Sequence, residues 1–297
     1  MEYTSLGKST LEISRIGFGA MSLKIGKDAN AKLLHEAVAH GVNFFDTADL
    51  YDKGMNEESI GTALKEKRKE LIIATKAGNQ WRADGSGWDW NPNPKYILEC
   101  VENSLQRLQT DYIDLYQLHG GTLEDPIDEI IGTFEQLKAQ GKIRYYGISS
   151  IRPNVIREYV KRSSIVSVMT QYSLLDRRPE ETTLQLLKEN NIGVLVRGAL
   201  AQGILVNKPA KEYLGHHSAP VEKAAIAIKK VSPDRTSAQT AIQYVLHHPA
   251  VTSAVVGMRT MEQLVEVLET TNVGKLSKEE YLFLQQSIAA NLYDVHR

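Results

Sequence analysis

Eight short apolar runs recur along the chain, each followed by a stretch of helical periodicity, and this alternation leaves few folds open. The runs cover residues 16–19, 43–46, 71–76, 113–118, 143–149, 168–172, 193–196 and 253–256. Most are β-branched and nearly all apolar, as parallel strands buried on both faces should be. Repeated strand–helix units imply parallel neighbours joined by right-handed crossovers. Eight such units in 297 residues match the length at which a (β/α)8 TIM barrel closes. The expectation is an α/β chain with a single barrel domain over 1–297.

The segments between the runs carry helix punctuation. Asp28 can cap a helix over 29–40, which Gly41 ends in the left-handed conformation. Asn93-Pro94 and Asp125-Pro126 open two more, since proline in the first turn gives up an N–H that has no partner there. Ser277 and Glu280 have the spacing of a capping box for a last helix reaching about residue 291. Before the first run, a small hairpin is expected with its turn near Leu6–Gly7–Lys8–Ser9. Two stretches break the rhythm: a polar, tryptophan-rich segment, 78–93, and a segment without clear periodicity, 202–220. Loops that long are usually functional or disordered.

Composition excludes several classes of function. A net charge of −1 gives no field for nucleic acid or an anionic membrane. No apolar stretch approaches the roughly 18 residues of a membrane span, and the opening residues lack the apolar core of a secretory signal. Cys100 is the one cysteine, so neither an internal disulfide nor a cysteine-rich metal site is available. A cytoplasmic monomer is expected. His216-His217 and His247-His248 are adjacent rather than four apart, which argues against chelation from a helix face. Gly17-Phe18-Gly19 lacks the third glycine and the immediate helix of a dinucleotide fingerprint.

In such a barrel the active site lies at the carboxyl ends of the strands. Gly19, Asp46, Lys76, His119, Ser149, Gln171, Arg197 and Gly257 then ring one mouth. Asp46 ends the second run and Tyr51 follows it by one turn; Lys76 and His119 close the third and fourth. A phenol alone is a poor acid at neutral pH, but a nearby ammonium favours its phenolate. Asp46 can keep that ammonium charged, and His119 can orient a carbonyl oxygen. Taken singly, an Asp–Lys pair at strand ends is more often structural; four such groups on adjoining strands point to proton delivery. A barrel aldolase using Lys76 as a Schiff-base nucleophile is the competing enzyme class, but it needs a depressed lysine pKa, which a neighbouring Asp46 opposes. Trp81, Trp88 and Trp90 suit loop anchors or substrate contacts equally.

The stretch DTADLY, Lys76 and His119 each closing a strand, the run LQRLQTDYIDLYQLH, and Gly257 with Gln263 and Glu266 together resemble the aldo-keto reductase family, in its bacterial branch of stress-linked, short-loop reductases. The resemblance covers essentially the whole chain. It implies an NADPH-dependent oxidoreductase of aldehydes or ketones, with Tyr51 as proton donor supported by Asp46, Lys76 and His119. It further implies that Ser149 and Gln171 hold the nicotinamide carboxamide and that Gly19, Ala20 and Met21 lie under the ring. Leu200, Gln202 and Gly203 then wrap the pyrophosphate, Arg259 and Thr260 meet the 2′-phosphate, and Gln263 and Glu266 contact adenine. Met21 replaces a tryptophan found in some branches, and three further positions depart from the pattern: Ser150 and Val267 stand where asparagine is common, and Arg197 where a stacking tyrosine is usual. Those departures keep a slow-turnover, cofactor-sensing partner subunit as the alternative.

Overall fold

The structure, a computed structural model, describes residues 1–23, 27–231 and 233–297, without the side chains of 27–29. The capping expected of Asp28 therefore lies outside the described residues. The barrel strands are β1 (Ile16–Gly19), β2 (Phe44–Asp46), β3 (Ile72–Ala77), β4 (Ile113–Leu118), β5 (Ile143–Ser149), β6 (Ser167–Gln171), β7 (Gly193–Arg197) and β8 (Val251–Val256). Each pairs in parallel with its neighbours in sequence, and the ring closes where Val256 of β8 lies opposite Phe18 of β1. All eight expected runs are strands of this barrel, with ends shifted by no more than two residues.

The described helices are α1 (Lys27–Ala39), α2 (Met55–Leu64), α3 (Pro94–Leu108), α4 (Ile127–Ala139), α5 (Pro153–Arg162), α6 (Thr183–Glu189), α7 (Ser218–Lys230), α8 (Ser237–His247), α9 (Met261–Leu268) and α10 (Lys278–Ser287). Asn93 caps α3 by accepting from the Lys95 N–H, with Pro94 in the first turn. The Ser277–Glu280 capping box of α10 is formed, but the helix stops at Ser287 because Ile288 turns extended. At α4 the proline itself is the cap, and helix begins at Ile127. Asp125 is drawn away, accepting from the Thr122 N–H and the Trp90 indole. Among the described residues, no helix is long and apolar enough to cross a membrane.

Two apolar layers hold the barrel. The outer one packs helices against strand faces, with Phe134, Tyr116 and Tyr146 stacked between α4 and strands β4 and β5. The inner one fills the barrel with Phe44, Ala74, Leu115, Met169, Leu195 and Val255, and is closed from below by Leu6, Leu11 and Ile13. Those last three belong to the expected N-terminal hairpin, Tyr3–Ser5 paired with Glu12–Ser14. Its turn seats Gly7 at φ 54°, where an added Cβ would meet the Val166 carbonyl at 2.5 Å. The conformation and the space both demand glycine. Asn43, just before β2, ties its side chain to the hairpin, accepting from the Ser14 N–H and donating to the Glu12 carbonyl. With its amino end plugged, the barrel has its open mouth at the carboxyl ends.

The tryptophan-rich stretch expected as a loop contains a second hairpin, Asn79–Trp81 against Trp88–Trp90. The unpatterned segment after β7 is irregular up to α7, which starts at Ser218.

Candidate active site

β2, β3 and β4 lie side by side, with Asp46 opposite Ala74 and Lys76 opposite Gln117. That register brings Lys76 to Asp46 across one inter-strand gap. Lys76 Nζ is fully buried and donates to Asp46 Oδ2 at 2.7 Å, to the Thr47 carbonyl at 2.6 Å and to the Tyr51 hydroxyl oxygen at 3.4 Å. Gln117 Nε2 donates to Asp46 Oδ1 at 3.3 Å. Burial alone would strip the lysine's proton, but the Asp46 carboxylate and Tyr51 outweigh it and hold the ammonium's pKa above its ordinary value. The Asp46 carboxyl is itself pushed up by burial, against the pull of Lys76.

Tyr51 reaches this pair from a tight turn. Its N–H donates to the Ala48 carbonyl. Asp52 and Lys53 follow at φ 48° and 54°, then Gly54 at 89°. Two consecutive non-glycine residues in the left-handed region store strain that the surroundings must hold, a pattern that clusters at functional sites. The tryptophan hairpin supplies part of the hold, because the Trp81 indole donates to the Leu50 carbonyl and Lys53 Nζ lies 5.2 Å from the Trp81 ring centre.

His119 lies just past β4, its ring edge-on to Tyr51 with centroids 5.9 Å apart. Burial, reinforced by the charges of Lys76 and Arg197, pushes its pKa down to about 3, so the imidazole is neutral at any working pH. Its Nδ1 is buried, with no hydrogen-bond partner among the described residues. The four groups expected at one mouth are thus brought together. The competing Schiff-base chemistry meets a lysine whose pKa is raised, the opposite of what a nucleophilic amine needs.

The rest of the ring follows the expected order. Ser149, Gln171 and Arg197 end β5, β6 and β7, while Gly19 ends β1 and Gly257 directly follows β8. Gln171 is held in one orientation: its Oε1 accepts from Arg197 at 2.9 Å and its Nε2 donates to Asp176 Oδ2 at 2.9 Å. Asp176 in turn takes a two-point bond from Arg178. Arg197 therefore lies along the rim, bonded to Gln171. Ala20 is buried and Met21 exposed beside the Gly19 end.

Ala201 and Gln202 take left-handed backbone angles and, with Gly198 and Gly203 also at positive φ, bend the segment after β7 into a close turn below Leu200. Thr260 caps α9, and Gln263 reaches back to the Arg259 N–H, leaving the Arg259 residue exposed. Glu266 is partly exposed one turn on, whereas Val267 is packed in the core and presents nothing to a ligand. An amide and a hydroxyl at the mouth with an exposed guanidinium at a helix start is a donor set suited to a nicotinamide dinucleotide.

Sequence reasoning missed several contributors. Gln117 was readable as a polar residue within an apolar run, on the same strand face as His119. The Thr47 carbonyl is a backbone group that no side-chain pattern marks. Asp176 and Arg178 belong to a turn with no periodic signal.

The sequence model of the Aldo/keto reductase family matches residues 15–288. The chain is 49% identical, over the full length of both, to the uncharacterized oxidoreductase YqkF of Bacillus subtilis. It is 33% identical to the NADH-specific methylglyoxal reductase of Escherichia coli, over 72% of each chain. Among solved structures it superposes on the holo form of aldo-keto reductase AKR11C1 from Bacillus halodurans with a TM-score of 0.93. That match has 45% identity and covers 100% of this chain and 99% of the other.

Proposed function

The chain belongs to the aldo/keto reductase family, oxidoreductases of carbonyl compounds that use nicotinamide cofactors, and from that premise we propose an NADPH-dependent reductase of aldehydes or ketones in which Tyr51 gives the proton. The observation that carries the reading is one buried ammonium, Lys76, bridging Asp46 at 2.7 Å and the Tyr51 hydroxyl at 3.4 Å. When bound, the cofactor supplies the hydride. The chain's own residues handle the oxygen.

A carbonyl oxygen gaining electrons needs a proton and a preorganised field around it. Tyr51 gives the proton from its hydroxyl. The Lys76 ammonium faces the negative charge left on the phenol oxygen, and Asp46 keeps Lys76 charged at full burial. His119, neutral, donates a hydrogen bond from its ring N–H to the carbonyl oxygen without competing as the acid, so it fixes where the oxygen sits. Gln171, clamped by Arg197 and Asp176, offers an amide in a set orientation for the cofactor's carboxamide, beside Ser149. Gly19, Ala20 and Met21 would hold the nicotinamide from below, Leu200, Gln202, Gly203 and Gly257 would hold the phosphates, and Gln263 and Glu266 would contact the adenine. The preference for NADPH over NADH rests on Arg259 beside the capped start of α9, where a guanidinium can pair two-pronged with a 2′-phosphate. We infer as well that 1–297 acts as one cytoplasmic domain on small-molecule carbonyl substrates.

The test is a panel of aldehydes and ketones with NADPH and with NADH, followed by cofactor absorbance, on the wild type and Arg259→Ala. Turnover is expected with NADPH preferred, and the variant should lose about tenfold of that preference, the worth of one charge-assisted contact. Consumption of no carbonyl with either cofactor would overturn the reading.

A further inference from the structure

The turn that presents Tyr51 has a second face. Thr47 turns its carbonyl toward the Lys76 ammonium. Two residues on, the Asp49 N–H donates to the Lys76 carbonyl at 3.2 Å, and its side chain points the other way, into the space between the barrel and helices α2 and α3. There Asp49 Oδ1 is sealed from solvent with no hydrogen-bond partner among the described residues, while the carboxyl as a whole accepts from the Cys100 thiol and the Leu50 N–H.

The groups facing that carboxyl come from every element around it. From α2 comes Glu57, fully buried, its Oε1 accepting from Thr75 and its Oε2 from Arg107 Nε at 2.7 Å and Nη2 at 2.6 Å. From α3 come Arg107, the Cys100 thiol and the Tyr96 phenol, and from β4 comes Tyr116, whose hydroxyl is buried with no partner among the described residues. From its own turn comes the Leu50 N–H. Burial pushes the thiol and both phenols up, so they are neutral. The cation, Arg107, is already gripped by Glu57. A second carboxylate here would face a like charge with its counter-ion taken, and burial together with Glu57 pushes the Asp49 carboxyl up to about 7.

We propose that Asp49 is a positioning residue for Tyr51: as a neutral acid it seats the Thr47–Gly54 turn, and on losing its proton it drives that turn outward and takes the phenol away from Lys76. The mechanical link is short. Tyr51 N–H to Ala48 carbonyl closes the turn around Asp49, so the carboxyl cannot leave its pocket without moving the residue two places on. The strained left-handed pair Asp52 and Lys53 gives the turn a reason to spring once its anchor is lost. The inference rests on reading Tyr51 as the proton donor, and it adds a proton-controlled seat to that donor.

Two measurements test it on the full-length protein and on Asp49→Asn, which mimics the neutral acid, and Glu57→Gln, which frees Arg107 for Asp49. The first needs no turnover: hydrogen exchange of the 47–54 backbone across pH 6 to 8, corrected for intrinsic rates. Wild type should lose about tenfold of its protection above neutrality, Asp49→Asn should lose none, and Glu57→Gln should move the break to lower pH. The second is the pH profile of kcat for carbonyl reduction, in which Asp49→Asn should remove the loss above neutrality and leave KM in place. Equal pH dependence of exchange in wild type and Asp49→Asn would overturn the seat whatever the activity. Loss of the exchange break with no carbonyl turnover would keep the seat and sink the reductase reading instead.

Discussion

Lys76 is the residue on which the site turns, because it is the cation that both pairs with the buried Asp46 and touches the Tyr51 hydroxyl. Replacing it with methionine keeps the volume and strands a buried carboxylate, a change that typically costs about 3–5 kcal/mol. Lys76→Met should therefore lower the urea midpoint as well as cutting kcat; full stability with normal turnover would refute both roles. His119 makes a separate prediction. With its imidazole held neutral down to about pH 3, its ring resonances should stay fixed between pH 5 and 8 while exposed histidines titrate. At this scale the sequence was legible where chemistry sat at a strand end: Asp46, Lys76 and His119 were visible as polar residues closing apolar runs. It was silent where the partner is a carbonyl, as at Thr47, or where burial decides the chemistry, as at Asp49, whose neighbours Glu57 and Arg107 come from two other elements.

Among the elements, the tryptophan hairpin braces the turn that carries Tyr51. Trp90 packs its ring against Gly78 and Gly120 and donates to Asp125, while Trp81 holds the Leu50 carbonyl. Trp90→Ala should loosen the hairpin and raise the rate of protease cleavage at its tip, 83–86, above that of the wild type; equal cleavage rates would show that the ring is not the anchor. The hairpin was readable in retrospect, since Asp84-Gly85 is a turn signal and Trp88 and Trp90 alternate on a two-residue period. Its polar content hid it. The α10 boundary shows the opposite case, a short motif that carried its own structural meaning. Ser277→Ala should cost about 1 kcal/mol through the lost cap, checked by thermal unfolding, and no shift in Tm would mean that α10 is held by packing alone. Strand register and the closing pair β8–β1 could not be read from pattern, but eight parallel runs left little choice other than closure.

For the whole molecule, two half-buried groups set opposing pH dependences. Asp49, raised to about 7 from 3.8, favours the fold below about pH 4 and loses that contribution as pH climbs to 7. His119, lowered to about 3 from 6.5, leaves the fold undisturbed above 6.5 and costs stability as pH falls toward 3. Between about pH 4 and 6.5 their slopes cancel. Relative to wild type, Asp49→Asn should become more stable with rising pH in that window and His119→Gln less stable, each by up to about 1.4 kcal/mol per pH unit. Variants whose stability runs parallel to wild type would show that neither group titrates abnormally. The barrel serves the site by bringing three neighbouring strands to one mouth, and the claim that this mouth reduces carbonyls through Tyr51 rests most directly on one comparison. Steady-state turnover of the best carbonyl substrate by wild type and Tyr51→Phe should differ by about 10²–10⁴-fold, the usual worth of a positioned acid, with NADPH binding, read by fluorescence, unchanged. Unchanged turnover in Tyr51→Phe would contradict the assignment outright.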